Sequence, residues 1–184
     1  MLGLPRSARD HKDLHRKSVR MLASPPLIHC WAVAILVWIA AAAAKDTSLH
    51  FYMHDNMTPP NQSVVMVAGP GTAGFGTVTV IDDPLTQGAD ASSPAIGRGQ
   101  GTWIVASMDG RSLLLTFSAV FQTGDFKGST LSFHGSDDTS EAVREIAVIG
   151  GTGQFRNARG YATIKTASAS GASVILEIDV RVSH

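Results

Sequence analysis

Four charged residues stand where apolar alternation stops: Asp55, Asp82, Asp137 and Arg144. Asp55 shares the parity of Leu49, Phe51 and Met53, so a strand through them ends its apolar face in a carboxylate. Asp82 closes the run from Phe75 to Ile81, Asp137 follows Ser129–Ser136, and Arg144 lies in Val143-Arg144-Glu145-Ile146. Taken singly, each reads as a strand-end turn carboxylate or a surface ion pair. Gathered at one mouth of a closed sheet they would do chemistry, because a carboxyl in an apolar pocket holds its proton longer and serves as a general acid. His50 and His54 suggest a metal pair, but on a strand they lie ~13 Å apart at ~3.3 Å per residue. No cysteine or other histidine cluster accompanies them, so no metal site is expected.

The elements that must position these groups are strands. From Lys45 onward there is no convincing helix, and short turns interrupt a period-two pattern. Leu113, Leu115, Phe117, Ala119 and Phe121 share one face, and Val174, Leu176, Ile178, Val180 and Val182 repeat the pattern at the end of the chain. Further strands are expected over 47–55, 63–68, 75–82, 97–108, 128–135, 143–149 and 158–168, with Asp83-Pro84 among the connectors. Glycine makes up 17 of the 140 residues from 45 to 184, above the usual ~7%, as tight turns and bulges require. Gly97-Arg98-Gly99-Gln100-Gly101 and Gly150-Gly151-Thr152-Gly153 lack the helix and Lys-Ser/Thr pair of a phosphate loop and read as bulges and turns. Eight or nine short antiparallel strands leave aggregating edges unless the sheet closes, so the expected fold is an all-β, eight-stranded antiparallel β-barrel, large enough for a small ligand. A two-sheet sandwich is the alternative.

Composition sets the compartment and excludes some functions. The 184 residues carry 15 basic and 15 acidic groups, and zero net charge argues against nucleic-acid binding. Residues 1–44 hold six basic and two acidic groups, leaving 9 basic and 13 acidic in 45–184, a net of −4. Leu27–Ala44 is an apolar run with small residues at Ala42 and Ala44, as at a secretory cleavage site. The expected organisation is therefore a leader over 1–44, cut near Ala44, and an exported domain over 45–184. An uncleaved anchor is the alternative, although eighteen residues span only ~27 Å as a helix; the start codon is Met1 or Met21. The sole cysteine, Cys30, lies in the leader, so the domain has neither disulfide nor thiolate site. Asn56-Met57-Thr58 and Asn61-Gln62-Ser63 are glycosylation sequons around Pro59-Pro60 and support export.

Several blocks together carry a family resemblance over residues 49–183. They are Leu49-His50-Phe51-Tyr52-Met53-His54-Asp55, Val80-Ile81-Asp82-Asp83-Pro84-Leu85-Thr86, Gly97 to Gly101, Gly128-Ser129-Thr130-Leu131, Val143-Arg144-Glu145, Ile149 to Gly153 and Phe155 to Ala162. In this order and spacing the chain resembles the dirigent family of plants. The resemblance implies an eight-stranded barrel of the kind shared with allene oxide cyclases, a homotrimer, secretion to the apoplast and a pocket inside each barrel. It implies stereoselective coupling of phenoxy radicals, typically from coniferyl alcohol, to optically active lignans in phenylpropanoid metabolism. A separate laccase or peroxidase supplies the radicals, and no metal or cofactor is implied. Some relatives instead cyclise quinone methides; a secreted phenolic-binding protein of wall or defence biology and an oxylipin cyclase are the other readings. Carried over by position, the resemblance assigns the acid chemistry to Asp55, Asp82 and Asp137, with Arg144 orienting the reacting oxygen. It assigns substrate contacts to His54, Trp103 and Thr163. Two departures stand out: the cysteine pair of many relatives is missing from the domain, and Gly99 replaces the more usual alanine.

Overall fold

The computed structural model describes residues 44–71 and 74–184. Residues 1–43 of the leader expected over 1–44, with Cys30 and the alternative start at Met21, lie outside the described residues. Nine strands follow one another: β1 (Asp46–Asn56), β2 (Val64–Ala68), β3 (Val78–Thr86), β4 (Ala95–Val105), β5 (Ser112–Phe121), β6 (Thr130–Asp138), β7 (Arg144–Thr152), β8 (Arg159–Ser170) and β9 (Ser173–Ser183). Among the described residues the only helical segment is one 3-10 turn, Gly153–Phe155. The sheet order is β1-β9-β8-β7-β6-β5-β4-β3-β2, and β3 also pairs with β1. Eight strands therefore close an antiparallel barrel, as expected, and β2 is an added strand on β3.

Closure is uneven around the wall. β1 and β9 pair along their whole length, from Asp46↔Ser183 to Asn56↔Ser173. Just beyond that ladder the Lys45 N–H donates to His184 O at 2.8 Å, and the His184 N–H donates back to Lys45 O at 3.0 Å. The opposite side of β1 meets β3 only at Tyr52↔Thr86 and Met53↔Leu85. The first half of β3 is taken by β2, from Val64↔Ile81 to Ala68↔Val78.

That sharing explains why β3 runs through Asp83-Pro84, which reads as a connector in the sequence. Proline cannot donate to a ladder. Alternation puts the Pro84 nitrogen on the same side as the Asp82 N–H, which donates to Ser63 O at 2.8 Å. On that side β2 has ended and β1 begins only at Leu85, so no ladder bond is lost. β6 also outruns its expected end, because Gly135–Asp138 continues the strand rather than turning.

Inside the barrel the alternating residues Phe51, Phe117, Phe133, Leu131, Ile164 and Ile178 are almost wholly buried. Each such burial is worth about 1.5–3 kcal/mol. Phe117 and Phe133 stack at 4.6 Å. Phe121, Phe126 and Phe155 lie 4.8–5.9 Å apart and stopper the end away from Asp55. Gly97 and Gly101 fall in the middle of β4 rather than in a turn. A Cβ there would stand 2.0 Å from Val120 O and 2.1 Å from Thr116 O respectively, so β4 lies against β5 only because it lacks those side chains.

Candidate functional site

The open end of the barrel holds a hollow of about 300 Å³ lined by Met53, Asp55, Trp103, Leu115, Asp137 and Arg144, with Met57, Thr166 and Leu176 also on its wall. A larger groove of about 720 Å³ lies at the other end, between Leu49–Phe51 and Gln87–Ile96. Its titratable groups, His50 and Asp125, are both exposed. Ligand sites combine apolar walls with a few converging polar groups, and only the smaller hollow gathers buried charges.

β6 brings Asp137 inward by its parity with Leu131 and Phe133, and β7 brings Arg144 inward by its parity with Ile146 and Val148. Arg144 Nε donates to Asp137 Oδ1 at 2.7 Å, with both side chains 5% exposed. Arg144 Nη1 donates to Thr166 Oγ1 at 3.0 Å. Two bonds thus fix the guanidinium and leave the rest of its five-donor fork for a ligand oxygen.

Across the hollow Asp55 meets a second carboxyl, Asp83, which is fully buried. Asp83 Oδ1 accepts from Ser63 Oγ at 2.5 Å. Asp55 Oδ1 and Asp83 Oδ2 are buried without any other hydrogen-bond partner. Burial pushes the Asp55 carboxyl up to about 6, with the charge of Asp137 adding to it and the bond from Asp83 opposing it. Burial, and then the Asp55 charge, push Asp83 up to about 9 against the Ser63 hydrogen bond. Two facing carboxyls in an apolar wall cannot both ionise cheaply, so the pair retains a proton where a solvated carboxyl has lost it.

Of the residues singled out from sequence, Asp55, Trp103, Asp137 and Arg144 converge on this hollow. Asp82 does not. It points outward, about half exposed, bonded by Arg98 Nε at 2.9 Å and Gln100 Nε2 at 3.1 Å, and the Arg98 bond holds its carboxyl below the usual range. The inward position belongs to Asp83, whose signal was its parity with Ile81 and Leu85. Thr163 also faces out, between the buried Ala162 and Ile164; the threonines on the cavity wall are Thr139 and Thr166.

His54 lies behind the wall, where its Nε2 meets Thr86 Oγ1 at 2.7 Å. Because Thr86 Oγ1 donates to Gly88 O at 2.7 Å, Nε2 carries the proton. His50 is on the outer surface, its Nδ1 2.9 Å from Asp179 Oδ1 and its Nε2 3.9 Å from Glu177. The sequon loop roofs the mouth. Asn61 is exposed, whereas Asn56 is tied down by accepting from the Thr58 N–H at 2.9 Å and donating to Asn61 O at 2.8 Å.

The dirigent-like protein family matches residues 46–183. Dirigent protein 1 of Arabidopsis thaliana is 41% identical over 145 residues, 76% of this chain and 80% of that one. Pterocarpan synthase 1 of Glycyrrhiza echinata is 43% identical over 148 residues, 76% of this chain and 79% of that one. The solved structure of the pterocarpan synthase dirigent protein GePTS1 superposes with a TM-score of 0.74 at 44% identity, covering 77% of this chain and 86% of that chain. With the barrel and these matches together, the chain belongs to the dirigent-like protein family.

Proposed function

We propose that this chain binds a phenolic molecule in the barrel mouth and directs the stereochemistry of ring closure through a quinone methide. The observation that carries this reading is the facing carboxyl pair Asp55 and Asp83, with Asp55 on the wall of an apolar hollow that also holds the Arg144 fork. In the closing step an internal hydroxyl attacks the methide carbon and the quinone oxygen becomes a phenol. Asp55 gives its proton to that oxygen, Arg144 holds the oxygen in place, and the carboxylate left behind takes the proton released by the attacking hydroxyl. Protons and electrons balance, so no oxidant is consumed. Trp103, Met53 and Leu115 hold the rings so that one face is open to attack. A 100:1 preference needs only ~2.7 kcal/mol between competing transition states. A hollow of about 300 Å³ sits at the small end of ligand pockets, which run from roughly 300 to 1,000 Å³, and this favours a single molecule. The pterocarpan synthase relatives support the same reading.

The second reading is the coupling of two phenoxy radicals, for example from coniferyl alcohol, to an optically active lignan, with a separate laccase or peroxidase making the radicals. A second hollow of about 220 Å³ shares Met57 and Trp103 with the first and supplies room for a second ring. We further propose export to the apoplast, glycosylation at Asn56 and Asn61, and a homotrimeric assembly; the leader, the sequons and the family resemblance support these.

Chiral chromatography decides between the two readings. The purified chain is given either a phenol carrying an internal hydroxyl nucleophile and a benzylic hydroxyl, which leaves as water to form the quinone methide, or coniferyl alcohol with a laccase. Enantiomeric excess in the first arm supports ring closure, and excess in the second supports radical coupling. Racemic product in both arms sinks the directing function and leaves plain phenolic binding.

A further inference from the structure

Resting on the ring-closure reading, we infer that Asp83 is a positioning residue: it shares one proton with Asp55 and keeps Asp55 able to donate where a lone carboxyl is already spent. The ground is geometric. Asp55 and Asp83 are within side-chain hydrogen-bond reach of each other, and Asp55 Oδ1 and Asp83 Oδ2 receive no N–H or O–H from any other described residue. Two buried carboxylate oxygens so placed repel unless a proton lies between them. Ser63 Oγ holds the far oxygen of Asp83 at 2.5 Å, which turns the other oxygen toward Asp55. Ser63 in turn accepts from the Asn56 N–H at 3.0 Å, so the loop roofing the mouth and the proton-sharing pair are one construction.

The other charges around the pair leave it a single answer. Asp137 on β6 acts on Asp55 and raises it, with its own charge matched by Arg144 on β7. Arg98 on β4 lowers Asp83 only weakly, from outside the barrel. β9 and β2 present Val174, Leu176 and Val64. Asp82 and His54, the neighbours in chain on β3 and β1, face away, bonded to Arg98 and Thr86. Titrating as a unit, the pair loses its first proton near 6 and its second near 9, and such steps belong to the pair rather than to either residue. Between them one proton remains, available to the quinone oxygen through Asp55.

The test is a carboxyl ¹³C NMR titration of the aspartate-labelled chain, beside the pH–rate profile of ring closure. The wild-type chain is expected to show two coupled carboxyl steps and a rate that persists to the upper one. Asp83→Asn keeps the Ser63 bond and offers Asp55 an amide donor in place of the carboxyl. It should show one step near 6, with the alkaline limb of the rate moved down by up to about three pH units. Ser63→Ala removes the bond that lowers Asp83 and should move the upper step and the limb the other way, which a merely structural role would not do. Two carboxyls titrating independently near 4, or an alkaline limb unmoved by either variant, would overturn the inference. A shared proton in a chain that closes no ring leaves the pair standing and overturns the ring-closure reading instead.

Discussion

Asp137 and Arg144 meet at 2.7 Å where the ladder between their strands has stopped. The β6–β7 pairing ends at His134↔Ala147, and beyond it the two side chains join strands that no longer share backbone bonds. This ion pair is both a clasp on the barrel rim and the inner wall of the hollow. Removing one partner leaves the other charge buried and alone. Asp137→Ala should therefore cost about 3 kcal/mol of stability, read by urea unfolding. Changing both residues together, to Leu and Met, should recover part of it.

Asp55→Asn keeps the shape of the side chain and removes its proton. Ring closure should slow by roughly 10²–10⁴-fold while phenolic binding, followed by Trp103 fluorescence, weakens much less. A rate within threefold of wild type would place the acid elsewhere.

Asp82→Asn and Thr163→Ala alter groups on the outer surface. Product handedness and rate should stay within about twofold, and stability within about 1 kcal/mol, since an exposed pair such as Asp82–Arg98 contributes little. A large loss of selectivity in either variant would contradict the assignment of inner and outer faces.

Stability should depend on pH through the carboxyl pair. Both groups bind protons more tightly folded than unfolded. Their joint contribution is therefore greatest below the unfolded carboxyl range near 4 and falls as pH rises, through the pair's first step near 6 and on to its second near 9. Between 6 and 9 the Asp83→Asn chain should lose less stability than the wild type, a comparison that thermal unfolding across this range reads directly.

Gly99 and Gly101 make a paired test of the barrel interior. A Cβ on Gly99 would come 2.7 Å from Met53 Sδ, the flexible end of a cavity-lining side chain, whereas one on Gly101 would meet the Thr116 carbonyl. Gly99→Ala should cost no more than about 1 kcal/mol by shifting Met53 and should change product selectivity. Gly101→Ala should cost about 3 kcal/mol or fail to fold, because backbone cannot move aside.

The sequence already displays much of this. Alternation through Leu113–Phe121 and Val174–Val182 marks strands buried on one face, and the need to hide strand edges leads from those strands to a barrel. The convergence of Asp55, Asp137 and Arg144 follows from strand ends of matching phase. Pro84 is where the sequence misleads: as a turn signal it ends the expected strand at 82, four residues short of Thr86, and Asp82 then takes the place of Asp83 as the closing carboxyl. A strand has two faces, and taking one residue for its neighbour exchanges them. Thr163 comes from the resemblance rather than from alternation: Ala162 and Ile164 are buried on one parity, which extends to Thr166 and turns Thr163 outward, and the register shift of β8 lies only beyond Thr166. Nor can alternation foresee that β3 divides its free side between β2 and β1, the arrangement that makes room for Pro84.

The doubled hydrogen bond between Lys45 and His184 settles how the molecule can be handled. Both ends of the domain leave the barrel side by side, at the end remote from Asp55. An affinity tag or surface tether on either terminus therefore leaves the mouth facing solution. The same proximity makes the chain a candidate for circular permutation, with a short linker joining residue 184 to residue 45 and new ends cut in the exposed turn at Asp109-Gly110.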